Sequence, residues 1–295
     1  MRAYDFETYD VFTDKRFAGN PLAVVMDARG LSGEQMQTVT REFNLAETSF
    51  VLPPEDPANT ARIRIFTPGY EMPFAGHPTV GTAIAVARAR NLSGELRFEL
   101  NAGLFPVTVE TNEDGGFSEF KNPNLPVETG APPSTELIEA ALSLPGGSID
   151  RGAAKPRRVG AGVDYIYCRT SMETVRMAKV NSAAWEALDL DNIVGIHLYT
   201  EGGEAPDAAY HARMFAPDVG VIEDPATGSA AAALPGHIAL SDNLTDGEHH
   251  WIIEQGFEMG RPSRIHARIE TGGGKIQSVR IGGNAIKMQQ GQIFV

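Results

Sequence analysis

The chain has 295 residues, which at roughly 150 per domain suggests two domains with apolar cores of their own. Apolar residues make up 42% and charged ones 21%, with 31 Gly and 19 Pro, a globular, turn-rich composition that excludes a disordered or coiled-coil chain. Lys plus Arg number 25 against 38 Asp plus Glu, and a formal charge of -13 argues against gripping phosphate backbones or anionic lipid, so neither nucleic acid nor a membrane is an expected partner.

The opening Met1-Arg2-Ala3-Tyr4-Asp5-Phe6-Glu7 carries acids where a signal peptide needs an apolar run, and no stretch approaches the ~20 apolar residues of a membrane span. The expected location is the cytoplasm. Asn20-Pro21 reads as a turn before the buried strand Leu22-Ala23-Val24-Val25. Ser32 to Asn44 is a helix, with Met36, Val39 and Phe43 at helical spacing and a capping box from Ser32 to Gln35. Glu47 follows, just before the apolar strand Phe50-Val51-Leu52. Arg64-Ile65-Phe66-Thr67-Pro68 ends a strand, and a helix starting at Pro78, capped by His77, is apolar nearly all round, so it belongs in a core. Phe105 to Val109 alternates as a strand, Glu113 to Gly116 turns, and the Pro-rich Asn122 to Pro126 marks a domain boundary. Ser134 opens an amphipathic helix with Leu137, Ile138 and Ala141. Beyond a second apolar helix at Pro225, capped by Asp224, Ile265 to Ile269 and Val279 to Ile281 alternate as strands around a hairpin at Gly272-Gly273-Gly274-Lys275.

These elements occur twice. Arg64 to Pro68 returns 149 positions later as Arg213 to Pro217, and Gly76-His77-Pro78-Thr79-Val80-Gly81-Thr82-Ala83 lines up 147 positions on with Glu223-Asp224-Pro225-Ala226-Thr227-Gly228-Ser229-Ala230. The expected fold is α+β: two domains related by a pseudo-twofold axis, each a mostly antiparallel sheet wrapped around one central helix. If the repeated helix starts share a cleft, their N–H groups and dipoles form an anion site suited to a carboxylate, with Gly228 allowing close approach and Ser229 adding a hydroxyl. Cys168 is the single cysteine, which rules out a disulfide and a catalytic thiol pair. No motif for a metal, a phosphate loop or a dinucleotide is present, and the His249-His250 pair reads as part of a loop. No cofactor is expected.

Six blocks, in order, closely resemble the PhzF-like phenazine-biosynthesis family: Phe17 to Pro21, Asn44 to Thr48, Met72 to Thr82, Arg213 to Pro217, Glu223 to Ala230 and Gln255 to Ser263. The resemblance implies a diaminopimelate-epimerase-like fold, with domain one at 1–122 completed by a C-terminal strand at about 284–295, and domain two at 123–283. It also implies that Glu47 moves a proton while Gly76, His77, Asp224, Gly228 and Ser229 line the substrate site, and it allows a homodimer. The expected activity is a cofactor-independent isomerase acting on a small carboxylate substrate. The alternatives are an epimerase of a small amino or hydroxy acid, using Asp224 or His77 as second acid/base, and a non-catalytic metabolite-binding protein. Val127 to Thr200 matches no motif.

Overall fold

Period-two alternation becomes strand: along Gly103–Thr111, Phe105, Val107 and Val109 are buried while Leu104, Pro106 and Thr108 face solvent. The computed structural model describes residues 2–242 and 244–295. They fall into two units, Met1–Lys121 with Gly282–Val295, and Asn122–Ile281.

The first unit runs β1 (Ala3–Val11), β2 (Asn20–Val25), α1 (Gly33–Phe43), β3 (Glu47–Leu52), β4 (Ala61–Phe66), β5 (Glu71–Met72), α2 (Gly76–Arg90), β6 (Gly94–Leu100), β7 (Gly103–Thr111) and β8 (Gly115–Lys121). The second runs β9 (Val127–Gly130), α3 (Thr135–Ala141), β10 (Arg157–Gly160), β11 (Asp164–Arg169), α4 (Met172–Met177), α5 (Ser182–Trp185), β12 (Ile193–Glu201), β13 (Tyr210–Ala216), β14 (Val221–Asp224), α6 (Gly228–Ser241), β15 (Gly247–Gln255) and β16 (Ser263–Gly272). The long β17 (Lys275–Phe294) starts in the second unit and ends in the first, where Ala285 to Phe294 pair antiparallel with β1.

One pairing scheme is used twice. In the first unit β2 and β3 are parallel, β3 and β4 antiparallel, β4 and β5 antiparallel, and β4 and β6 parallel. In the second, β11 and β12, β12 and β13, β13 and β14, and β13 and β15 repeat that sequence of senses. Each scheme surrounds its apolar helix. Residues 76–87 of α2 are all buried, packed on β1, β2, β3, β7 and β8. Helix α6 packs on β9, β10, β11 and β16. With Ala, Gly and short aliphatic side chains on every side, neither helix has a polar face to offer water.

The structure corrects the register of the repeat. The N-caps are Ala75 and Thr227, not His77 and Asp224, and the first helical residues are Gly76 and Gly228. Glu71-x-Pro73-x-x-Gly76 therefore corresponds to Glu223-x-Pro225-x-x-Gly228, because the second hairpin is three residues longer, with Glu223 ten positions after Arg213 where Glu71 is seven after Arg64. Pro78 is the third residue of α2, still in the first turn, where no N–H is needed, whereas Pro225 precedes its helix. His77 thus pairs by position with Ser229.

Smaller readings also shift. Asn20 and Pro21 lie in β2, and the left-handed residues before it are Phe17 and Gly19. His249 and His250 sit on β15 rather than in a loop, since β15 pairs with β16 from Gly247 onward. Leu137 is exposed because α3 is only seven residues long and turns Ile138 and Ala141 inward. The Ser32–Gln35 capping box forms as expected, and Gly273 and Gly274 take positive φ of 61° and 72° in the β16–β17 hairpin.

Beneath α6 lies an aromatic cluster. Tyr199 O–H donates to His237 Nδ1 (2.8 Å), and His237 Nε2–H donates to the Lys155 carbonyl (3.0 Å), which fixes that ring as the Nε2–H tautomer. His197 is fully buried between Tyr167 and Tyr199, with neither ring nitrogen hydrogen-bonded. Burial pushes His197 down to about 3 and His237 to about 4. Both lie below the unfolded value, so the unfolded chain takes up protons that the folded one refuses. Their effect is absent above about pH 6.5 and erodes stability as pH falls toward 4, by up to ~1.4 kcal/mol per pH unit for each ring. His197→Phe should therefore flatten the acid limb of stability in urea denaturation at pH 7, 6, 5 and 4. Parallel wild-type and variant curves would contradict the assignment.

Candidate active site

Each helix head is delivered by a short hairpin held by an Arg–Glu clamp. Arg64 Nε and Nη2 donate to Glu71 at 2.7 and 2.6 Å, and Arg213 Nε and Nη2 donate to Glu223 at 2.8 Å each. These are the repeated Arg of Arg-x-Phe-x-Pro and the repeated Glu of Glu-x-Pro-x-x-Gly, and the two-point geometry fixes the angle at which the chain enters its helix.

In the first unit β3 begins at Glu47, and the parallel β2–β3 register sets Glu47 opposite Leu22. Glu47 Oε2 lies 3.3 Å from Nδ1 of His77, the second residue of α2. His77 is 5% exposed and the Glu47 side chain 16%, so the carboxylate keeps a window to solvent that the ring lacks. Burial drives His77 down to about 3, against the opposing hydrogen bond to the Pro21 carbonyl. Nε2 is buried with no hydrogen-bond partner, whereas Nδ1 faces the Glu47 carboxylate beside the Pro21 backbone, an acceptor environment that favours the proton on Nδ1. Glu47 therefore faces a neutral imidazole, not a cation. Gly76 is the residue before His77, and Ala75 has no side chain to cap the helix N–H groups.

In the second unit Asp224 ends β14 and accepts the Thr227 hydroxyl at 2.6 Å. The Thr227 hydroxyl donates to Asp224 and accepts from Gln255, and it makes no cap to a helix N–H. Gln255, fully buried, donates to the Asp224 carbonyl (2.7 Å) and to Thr227 Oγ1 (2.9 Å), and accepts from the Thr227 N–H (3.3 Å). Gly228 opens α6, and Ser229 Oγ lies 2.7 Å from the Tyr165 hydroxyl. The structure brings Glu47, Gly76 and His77 together in one unit, and Asp224, Gly228 and Ser229 in the other. Gln255 was visible in sequence only as part of a matched block, and Tyr165 carried no signal.

At the strand position equivalent to Glu47 the second unit has Gly195, by the matching registers Leu22–Glu47 and Tyr165–Gly195. A Cβ there would stand 2.1 Å from the Phe215 carbonyl oxygen, so no side chain fits. Cys168 is buried in the second unit's core, where burial pushes its thiol well above the ordinary range. Among the described residues no group of three or more His, Cys, Asp or Glu side chains could hold a metal ion, and no helix is long and apolar enough to cross a membrane.

Residues 9–291 match the PhzC-PhzF family, described as phenazine biosynthesis-like protein. The chain is 43% identical to an uncharacterized isomerase of Mesorhizobium japonicum over 302 aligned positions, 100% of both chains. It is 35% identical to trans-2,3-dihydro-3-hydroxyanthranilate isomerase of Pseudomonas aeruginosa, covering 97% of this chain and 98% of that one. Its fold superposes on the crystal structure of a PhzF-family phenazine biosynthesis protein of Bacillus anthracis with a TM-score of 0.90 at 28% identity, over 100% of both chains.

The segment carrying Gln255 is clamped by His211, whose ring is fully buried between Glu254 (Nδ1–Oε2 3.2 Å) and Glu258 (Nε2–Oε1 3.0 Å). Arg213 and Arg264 stand 4.0 and 3.6 Å from the same two carboxylates. Burial lowers the His211 pKa, but its hydrogen bonds and charge interactions with Glu254 and Glu258 outweigh that and raise it to about 9. A raised folded pKa stabilises fully below about pH 6.5 and is lost as pH rises through 9. His211→Gln should remove this alkaline limb, checked by comparing the denaturation free energies of wild type and variant between pH 6 and 9.5. A gap that stays constant over that range would refute a charged His211.

Proposed function

The chain belongs to the phenazine biosynthesis-like family, and from that membership we propose that it is a cofactor-independent isomerase in which Glu47 moves a proton between two carbons of a small unsaturated carboxylate. The observation that carries this reading is the carboxylate of Glu47, partly open to solvent and 3.3 Å from a buried, neutral His77. An imidazolium at that distance would hold Glu47 as an ion pair. A neutral ring steers the carboxylate without cancelling its charge.

The chemistry balances within one side chain. Ionised Glu47 takes a proton from one carbon, the released electron pair spreads into the substrate's conjugated system, and neutral Glu47 returns the proton to another carbon as the double bond shifts. Glu47 cannot make an unactivated C–H acidic, so the developing charge needs donors fixed in advance. Gly76, Asp224, Gly228 and Ser229 are assigned to substrate binding, the uncapped heads of α2 and α6 suiting a carboxylate. A carboxylate mirroring Glu47 has no room at Gly195, which disfavours an epimerisation by two symmetry-related carboxylates.

The 35% identical relative names the first substrate to try, trans-2,3-dihydro-3-hydroxyanthranilate. Glu47→Gln should bind it within a few-fold of wild type, keep the wild-type melting temperature, and lose ~10²- to 10⁴-fold in turnover and in proton exchange with D2O. Near-normal turnover in Glu47→Gln would overturn the assignment. Deuterium gained at one carbon with no displaced double bond would favour the epimerase reading instead.

A further inference from the structure

The second unit carries a polar pair at the head of α6 that mirrors Glu47–His77 in position but not in chemistry. Ser229 occupies the helix position of His77, and Tyr165 takes the strand position of Leu22. Where the first unit has a carboxylate beside a neutral imidazole, the second has a phenol 2.7 Å from an alcohol. Tyr165 is 2% exposed, so its ring cannot rotate away without unpacking β11.

Strand β11 holds two tyrosines on one face. Residues two apart in a strand point the same way, and Tyr165 and Tyr167 both reach the first turn of α6. Tyr165 meets the Ser229 hydroxyl, while Tyr167 O–H donates to the Ala230 carbonyl at 2.7 Å. Ile166 and Cys168, on the opposite face, are embedded in the apolar cluster with Ile196 and Leu198. The strand is therefore fixed from behind, and its two phenols register against the helix head.

Two hydroxyls at 2.7 Å share one hydrogen, and the phenol is the stronger acid, which favours Tyr165 as donor. Ser229 then has its acceptor site filled, and its own hydrogen must point elsewhere. We propose that Tyr165 is a positioning residue that aims the Ser229 O–H at the substrate carboxylate, supplied from a stretch of chain where no family motif was legible. This rests on the assignment of Ser229 to carboxylate binding.

The test uses Tyr165→Phe, Ser229→Ala, the double variant and, as a control, Tyr167→Phe, with trans-2,3-dihydro-3-hydroxyanthranilate as substrate and melting temperature followed throughout. Loss of one orienting hydrogen bond should raise KM roughly 3- to 10-fold in Tyr165→Phe, with kcat within about twofold of wild type. The double variant should have a KM no higher than that of Ser229→Ala, because the proposal has the phenol reach the substrate through the serine. Tyr167→Phe, which removes a hydroxyl bonded to the Ala230 carbonyl, should lower the melting temperature and leave KM alone. A wild-type KM in Tyr165→Phe beside an impaired Ser229→Ala would overturn the role of Tyr165 and spare the functional reading. Fully additive losses, an equal KM effect in Tyr167→Phe, or a Tyr165→Phe protein that does not fold would each make Tyr165 merely structural. A wild type that neither binds nor converts the compound would take both readings down.

Discussion

The burial of one histidine constrains the chemistry of this molecule. His77 sits at the second position of a helix whose first twelve residues are buried, and the hydration that its charged form would lose there outweighs what the Pro21 backbone and the single nearby carboxylate return. Its Nδ1 lies 3.3 Å from the Glu47 carboxylate while Nε2 has no partner, so packing favours the tautomer protonated on Nδ1. The contrast with His211 is instructive. That ring is just as deeply enclosed, but two carboxylates at 3.2 and 3.0 Å keep it charged. Burial is common to both, and the partners decide the protonation state.

The repeated scheme gives each helix head the same scaffold and different furniture. Arg64–Glu71 and Arg213–Glu223 perform one task twice, fixing a hairpin so that the following helix starts at a glycine. A second device is also duplicated: Glu99 accepts the N–H groups of Glu55 and Asp56, and Glu254 accepts those of Glu204 and Ala205, each closing a loop beside its central strands. What differs is what the scaffold presents. The first unit presents a carboxylate beside a neutral imidazole, whereas the second presents a glycine and the paired hydroxyls of Tyr165 and Ser229. Under the proposed function, Glu47 moves the proton and the hydroxyls serve substrate binding.

Much of the fold was legible because it depends on signals that survive in a single sequence. The Ser32 capping box, the period-two alternation of Phe105 to Val109 and the unbroken apolarity of both central helices each reflect a local rule that tertiary packing did not override. The repeat was legible too, but its register was not. Matching Pro78 to Pro225 satisfied residue type, while the three extra residues between Arg213 and Glu223 moved the true correspondence to Gly76 with Gly228, a shift only the cap geometry reveals. Glu47 and His77, thirty positions apart, became one site through the β2–β3 register. Tyr165 escaped notice because a tyrosine in an alternating strand has the same pattern whether its hydroxyl meets solvent or a serine on a distant helix.

The charge state of His77 is directly observable. Nitrogen-15 NMR of the histidine rings between pH 5 and 8, with His77→Gln used to assign the signal, should show His77 neutral throughout, protonated on Nδ1 with Nε2 bare. An imidazolium signal for His77 at pH 6, or a neutral ring protonated on Nε2, would contradict the account, because Glu47 would then face a cation or lose the N–H that steers it.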